Sequence, residues 1–176
     1  MQQRVRWCVA GAVVLMSTQA WAFPNVKGEY VAMGGVEAHQ KVVTAVVEKT
    51  AKGFNFFVRG IARKRLVETN PVFGVIQVDY TAPRLTMSSG DASLELVGTK
   101  LEKHPFTTPE GEEVMVDQLI YDKSAKRVFY SATGRREVVY TINDTLDELT
   151  LEISVHSKYL STPLSYALQY RLNASK

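Results

Sequence analysis

The sequence has very little cysteine and tryptophan, and the positions of these residues limit what kind of protein it encodes. Among 176 residues there are one cysteine and two tryptophans, and Trp7, Cys8 and Trp21 all lie within the first 22 residues. The remaining chain therefore has no disulfide, and its stability must come from an apolar core. Cysteine-based zinc sites are excluded for the same reason.

The chain also lacks a strong excess of charge or a cluster of metal-binding side chains. Its formal net charge is +3, and Arg63-Lys64-Arg65 is the one dense basic cluster. Nucleic-acid binding needs a concentrated basic face, so we expect no nucleic-acid partner. His39, His104 and His156 are scattered along the chain, so we predict neither a metal site nor a cofactor.

The first 22 residues have the three parts of a secretory signal peptide. Arg4 and Arg6 precede an apolar run from Trp7 to Met16, and Ala20-Trp21-Ala22 forms a small-x-small cleavage site. The run is too short to span a bilayer. We therefore predict cleavage after Ala22, a periplasmic or secreted location, one domain over residues 23–176, and no transmembrane segment in the mature chain.

From Phe54 onward the chain alternates apolar and polar residues in short segments, with the period of a strand that has one buried face. The clearest apolar series are Ile76, Val78 and Tyr80; Val138, Tyr140 and Ile142; Leu149, Leu151, Ile153 and Val155; and Tyr166, Leu168, Tyr170 and Leu172. In the same way Val128 and Tyr130 alternate with Arg127, which we expect on the polar face. Short breakers such as Thr133-Gly134-Arg135 separate the series, and these favour antiparallel neighbours. The prediction is an all-β fold, an antiparallel meander barrel or strongly curved sheet of about eight to ten strands.

Residues 36–52 and 102–113 do not follow this alternation. In the first, the Glu37–Lys41 spacing favours a helix, whereas Val42, Val43 and other β-branched residues favour a strand. We favour a strand that pairs with a second strand over 54–61, and a short helix near 36–52 is the alternative. Residues 102–113 contain two prolines and a glycine, and we expect an exposed loop.

The sequence contains no complete catalytic motif. Ser89 is the serine closest to a nucleophile elbow, but Thr86 occupies the place of that motif's first glycine. His156 and Ser157 are adjacent, so in a strand they point to opposite faces. We therefore predict a protein that is not an enzyme.

Aromatic side chains are abundant on the predicted strands, where they either fill the core or line a ligand cavity. A barrel of this size has room for one small ligand, and tyrosine combines an apolar ring with a hydrogen-bonding hydroxyl. The predicted ligand-binding residues are Phe56, Arg59, Gln77, Tyr80, Tyr121, Tyr130, Tyr140 and Tyr170.

Gly28-Glu29-Tyr30, followed by a meander that closes with Leu164 to Leu172, resembles the calycin superfamily of lipocalin and fatty-acid-binding-like barrels. In that superfamily a tryptophan usually stands where this chain has Tyr30. The resemblance implies an internal apolar ligand. Together with the leader, it predicts a non-catalytic exported protein that binds a small apolar or lipid-like ligand inside a β-barrel.

Two other functions remain open from the sequence. The 102–113 segment, with His104, Phe106 and Glu110, suits a protein-interaction module or enzyme inhibitor that inserts a loop into a protein partner. A hairpin formed by Leu119-Ile120-Tyr121-Asp122 and Arg127-Val128-Phe129-Tyr130 is similar to the repeats of periplasmic jelly-roll proteins that carry lipopolysaccharide.

Overall fold

The chain folds into one antiparallel sheet of ten strands with two helices between its first and second strands. The computed structural model describes residues 23–108 and 111–174. The predicted signal peptide and Glu110 lie outside the described residues. The elements are β1 (Val26–Ala32), α1 (Gly35–Ala51), α2 (Phe56–Glu68), β2 (Val75–Thr81), β3 (Arg84–Ser89), β4 (Ala92–Val97), β5 (Lys100–Thr107), β6 (Glu113–Tyr121), β7 (Ser124–Ser131), β8 (Gly134–Ile142), β9 (Glu148–Ser157) and β10 (Leu164–Leu172).

The strand order is that of a meander curled into a half-barrel. It runs β4-β3-β2-β1-β10-β9-β8-β7-β6-β5, so β4 and β5 form the two edges. This confirms the predicted all-β class and meander. The order differs from that of a jelly roll, in which Greek-key connections join two sheets.

The alternation read from the sequence matches the burial of the last three strands. Val138 and Ile142 of β8 are buried, as are Leu149, Leu151 and Ile153 of β9. On β10, Tyr166, Leu168 and Tyr170 point inward and join the same core cluster. Because period-2 patterning fixes which face of a strand is buried, these strands could be oriented from the sequence.

The prediction of a strand at 36–52 is wrong, because this segment is the helix α1. Its buried residues His39, Val43, Val47 and Ala51 are spaced four apart and form one stripe. α1 packs this stripe against β10 and β1. Gly34 and Gly35 have φ angles of 75° and 80°, and this left-handed backbone turns the chain from β1 into the helix.

The predicted strand over 54–61 is also wrong, since α2 starts at Phe56. The side chain of Asn55 caps this helix by accepting a hydrogen bond from the backbone N–H of Phe57 at 3.1 Å. No residue of α2 is fully buried, and Phe56 and Phe57 are 77% and 86% exposed. Neither helix in the described ranges is long and apolar enough to cross a bilayer.

The predicted exposed loop over 102–113 is largely β-structure. β5 extends to Thr107 and β6 begins at Glu113, and the two strands are paired. A register shift between Leu101 and His104 bends β5, and the backbone N–H of Lys103 there donates to Asp117 at 2.7 Å. The bulge thus accommodates this irregular sequence at an edge of the sheet, where bulges are common.

Candidate ligand-binding site

The inward face of the sheet encloses a cavity of about 290 Å³ that is partly open to solvent. This volume lies at the lower end of the range for small-molecule sites, about 300–1,000 Å³. Most of the lining is apolar. The lining residues are Pro71, Phe73, Ile76, Met87, Ser88, Ser89, Ala92, Ser93, Leu94, Phe106, Arg127, Phe129, Arg136, Val138, Tyr140, Leu151, Ile153, Leu168 and Tyr170.

Arg127 is a buried cation in the wall of this cavity. β7 points its side chain inward, where it is 1% exposed and donates to Gln118 Oε1 at 2.9 Å. It also reaches the other side of the half-barrel and donates to the carbonyls of Leu85 at 2.9 Å and Leu94 at 3.3 Å. Burial lowers the pKa of the guanidinium below its ordinary value. Within the described residues no carboxylate forms an ion pair with it, so the positive charge remains uncompensated.

Arg136 and Tyr140 lie on the same inward face, on β8. The register pairs Arg127 with Val138, so Arg136 and Tyr140 are its two diagonal neighbours, at Cα distances of about 7–8 Å. Arg136 Nη1 donates to the carbonyl of Thr69, next to the C-terminal end of α2, at 2.8 Å. Both arginines act electrostatically on Tyr140, whose pKa is raised by burial and lowered by their charges, with burial dominant.

The hydroxyl of Tyr140 forms no hydrogen bond with any residue of the described ranges, although the ring lines the cavity. The other lining tyrosine differs, because Tyr170 donates its hydroxyl hydrogen to the carbonyl of Phe73 at 3.2 Å. Burial raises the pKa of Tyr170, so its hydroxyl stays neutral. The cavity therefore has one unused phenolic donor on the same wall as two cationic side chains.

A second groove, of about 690 Å³, lies on the outward side of β1 and β2. Its larger volume does not make it the better site, because charged and polar groups such as Lys27, Glu29 and Asp79 line it. Lys27 and Asp79 already form an ion pair at 3.1 Å. We therefore take the apolar inner cavity as the candidate site.

Two of the eight residues predicted to bind the ligand, Tyr140 and Tyr170, line the cavity. Tyr80 is buried elsewhere and stacks edge-on against Phe23 at 5.1 Å. The remaining five lie away from the cavity. Gln77, Tyr121 and Tyr130 point outward from β2, β6 and β7, and Phe56 and Arg59 are on the exposed surface of α2.

The three residues predicted to contact a protein partner are separated by the structure. His104 is exposed on β5, whereas Phe106 of the same strand points inward and lines the cavity. Glu110 lies outside the described residues.

Sequence reasoning missed Arg127, Phe129 and Arg136 as lining residues. β7 carries apolar residues on both faces, and its interpretation placed Val128 and Tyr130 inside with Arg127 outside. The structure inverts this assignment: Tyr130 donates its hydroxyl hydrogen to Asp117 at 2.7 Å on the outward face. The sequence contains one indication of the observed orientation. Ala125 and Phe129, which lie two residues before and two residues after Arg127, are also apolar and would share its face.

No family model and no curated protein matches the chain. Among solved structures it is similar to the REP1-NXSQ fatty acid transporter, with 10% identity, a TM-score of 0.48 and coverage of 85% of this chain and 96% of that chain. It is also similar to a fatty acid-binding protein from brain tissue of Drosophila melanogaster, with 11% identity, a TM-score of 0.46 and coverage of 86% and 100%. Caenorhabditis elegans lipid binding protein 8 shows 8% identity, a TM-score of 0.42 and coverage of 82% and 91%. All three likenesses have identities of 8–11% and TM-scores below 0.5, and they concern the arrangement of the chain alone.

Proposed function

We propose that this protein is a non-catalytic binding protein for a small apolar or lipid-like ligand, which it holds in the inner cavity. The observation that carries the proposal is the unused Tyr140 hydroxyl, which lies on the same wall as Arg127 and Arg136 in a mostly apolar cavity. Such a site binds through apolar burial and orients the ligand through a few polar groups. A ligand with an apolar body and a polar or acidic end, placed with that end against Tyr140, fits both the apolar and the polar part of the lining.

Arg127 favours an acidic end through its charge. Three of the N–H groups of its guanidinium donate to protein acceptors, and its charge has no carboxylate partner among the described residues. In a low-dielectric interior an anion nearby offsets part of the cost of the buried charge. Tyr140 and the exposed side of Arg136 are the groups that would donate to that anion.

A substitution that fills the cavity with a larger side chain tests the proposal directly. Val138 lines the cavity and Val139, the next residue of β8, points outward. We expect Val138→Trp to abolish binding of a fluorescent probe, 11-(dansylamino)undecanoic acid, because the indole occupies the ligand's space. Val139→Trp is the matched control, and its affinity should stay within twofold of the unmodified protein. Equal affinity in both variants would contradict binding in the inner cavity.

Native mass spectrometry of the protein purified from its source tests the same proposal without a chosen probe. We expect a co-purifying small molecule whose mass is lost after extraction with organic solvent. The Val138→Trp variant should be purified without it.

Export is part of the proposed function. Its support is the leader pattern of Arg4 and Arg6, the run from Trp7 to Met16, and the small residues before Phe23. N-terminal sequencing of the protein from its source should find Phe23 as the first residue. A first residue within 1–22 would contradict the predicted cleavage.

A further inference from the structure

His39 is a buried histidine of α1 that the ligand site does not use directly. It is 4% exposed, and its ring packs edge-on against the ring of Tyr170 at a centroid distance of 4.9 Å. Nδ1 is buried and has no hydrogen-bond partner among the described residues. Burial lowers the pKa of His39, and interaction with the backbone of Gln169 raises it by less. The imidazole is therefore neutral at neutral pH.

Protonation gives both ring nitrogens an N–H group, and at Nδ1 the described residues provide no acceptor. A buried charge without a partner is costly, and the protein can avoid that cost by exposing the ring to water. Because His39, Val43 and Val47 form the stripe that α1 packs against β10, exposing His39 means lifting this part of the helix.

Tyr170 connects this histidine to the cavity. One side of its ring contacts His39, and the residue also lines the cavity. Its hydroxyl holds the carbonyl of Phe73, which is itself a lining residue in the connection from α2 to β2. Movement of α1 therefore removes the support from one wall of the cavity.

No charged side chain on the elements packed against α1 is placed to compensate an imidazolium at this position. On β10, Tyr170 is a neutral phenol, and Arg171 points outward and pairs with Glu148.

On β1, Tyr30 is a neutral phenol that donates to the carbonyl of Leu146, and Glu29 is hydrogen-bonded to Asn173.

On α2, Arg63 pairs with Glu48 of α1, nine residues and about 13 Å along the helix from His39. Within α1, Glu37 and Lys41 are two residues away from His39 and so lie on other faces of the helix.

We propose that His39 is an acid-sensitive switch that holds α1 closed over the cavity wall at neutral pH and speeds ligand release when it is protonated. The proposal rests on the proposed function. If the exposed ring has an ordinary pKa of about 6.5 and the buried ring stays neutral, lowering the pH from 7.5 to 5.0 raises the open fraction by about 30-fold at most. The release rate rises by the same factor when release proceeds through the open state.

The test measures dissociation of 11-(dansylamino)undecanoic acid into excess phosphatidylcholine vesicles at pH 7.5 and 5.0. His39→Phe keeps an aromatic ring against Tyr170 and removes the titrating group. We expect release to accelerate by 10-fold or more in the unmodified protein and by less than threefold in His39→Phe. The double variant His104→Gln/His156→Gln changes the two histidines outside the switch, and it should accelerate like the unmodified protein.

Equal acceleration in His39→Phe and the unmodified protein would overturn the proposal, as would no acceleration in either. His39→Gln replaces His39→Phe if the phenylalanine variant does not fold. Hydrogen-exchange protection factors of the α1 amides of Val43 and Val47 measure opening without any ligand. At pH 5.0 they should fall in the unmodified protein and not in the His39 variant.

If the probe fails to bind at pH 7.5, the proposed function fails, and the exchange data alone decide on the switch. Protection that is lost at pH 5.0 only when His39 is present supports acid-driven opening. Protection that is independent of His39 overturns it.

Discussion

One pair of substitutions makes the same chemical change at two inward-facing tyrosines, and we expect opposite effects on stability. Tyr140 lines the cavity without a hydrogen bond for its hydroxyl among the described residues. Tyr166 donates its hydroxyl hydrogen to Asn70 Oδ1 at 3.2 Å in the buried interior. Each Tyr→Phe substitution removes one oxygen atom and leaves the apolar ring in place.

Tyr140→Phe should raise the free energy of unfolding by about 0.5–1 kcal/mol, because the half-buried hydroxyl is partly withdrawn from water without a protein partner, and full burial of such a group costs about 1–3 kcal/mol. We use the lower part of this range because the cavity is partly open and water reaches it. Tyr166→Phe should lower the free energy by about 1–2 kcal/mol, since it removes a hydrogen bond and leaves Asn70 Oδ1 without its donor. The melting temperatures of the two variants should therefore differ by several degrees.

Urea unfolding followed by circular dichroism measures both effects, and probe binding separates them from function. Tyr140→Phe should weaken binding of 11-(dansylamino)undecanoic acid about 10-fold, which corresponds to one lost hydrogen bond of about 1.4 kcal/mol to a charged group. The more stable variant would thus be the weaker binder. A Tyr140→Phe variant that loses as much stability as Tyr166→Phe would refute the reasoning, because its hydroxyl would then be bonded in the free protein.

Further expectations concern backbone space and exposed side chains. Gly134→Ala should destabilise the protein by at least about 2 kcal/mol, since the added Cβ would lie 2.0 Å from the carbonyl oxygen of His156, and thermal unfolding measures this. Gly60→Ala on α2 meets nothing within 4 Å and should stabilise by about 0.5–1 kcal/mol in the same assay. Phe57→Ser should change the unfolding free energy by less than about 0.5 kcal/mol, because the ring is 86% exposed; a larger loss would indicate that α2 packs more closely.

The strands with one clearly polar face could be predicted, whereas the helices could not. On β10 the alternation of Tyr166, Leu168 and Tyr170 has one solution, and the structure agrees with it. In α1 the β-branched valines favour a strand locally, and packing against β10 and β1 overrides that preference. The four-residue spacing of His39, Val43 and Val47 indicates the buried face of a helix, but histidine is a weak indicator of burial because it occurs both inside and on the surface of proteins.

The candidate site was harder to predict than the fold, because its polar part depends on distant contacts. Arg127 is inside because the carbonyls of Leu85 and Leu94, 42 and 33 residues away in sequence, accept its hydrogen bonds. No residue near Arg127 in the sequence indicates that these carbonyl groups are available as acceptors, and arginine is rarely fully buried. Local patterning therefore placed it on the outward face.

The way the inner wall uses its donors explains why so few groups remain for a ligand. Three inward side chains from the last strands bond across the interior: Arg136 to Thr69, Tyr166 to Asn70, and Tyr170 to Phe73. All three acceptors lie between the end of α2 and the start of β2, so these bonds fasten the helical segment to the sheet in a chain whose described part has no disulfide.

A donor that fastens the fold cannot also be withdrawn for a ligand without loosening that attachment. Tyr140 is the lining tyrosine whose hydroxyl makes no such bond within the described residues. We therefore expect this hydroxyl, rather than that of Tyr170, to decide which ligands bind. It follows that ligand selectivity and helix attachment can be changed separately, the first at Tyr140 and the second at Tyr170.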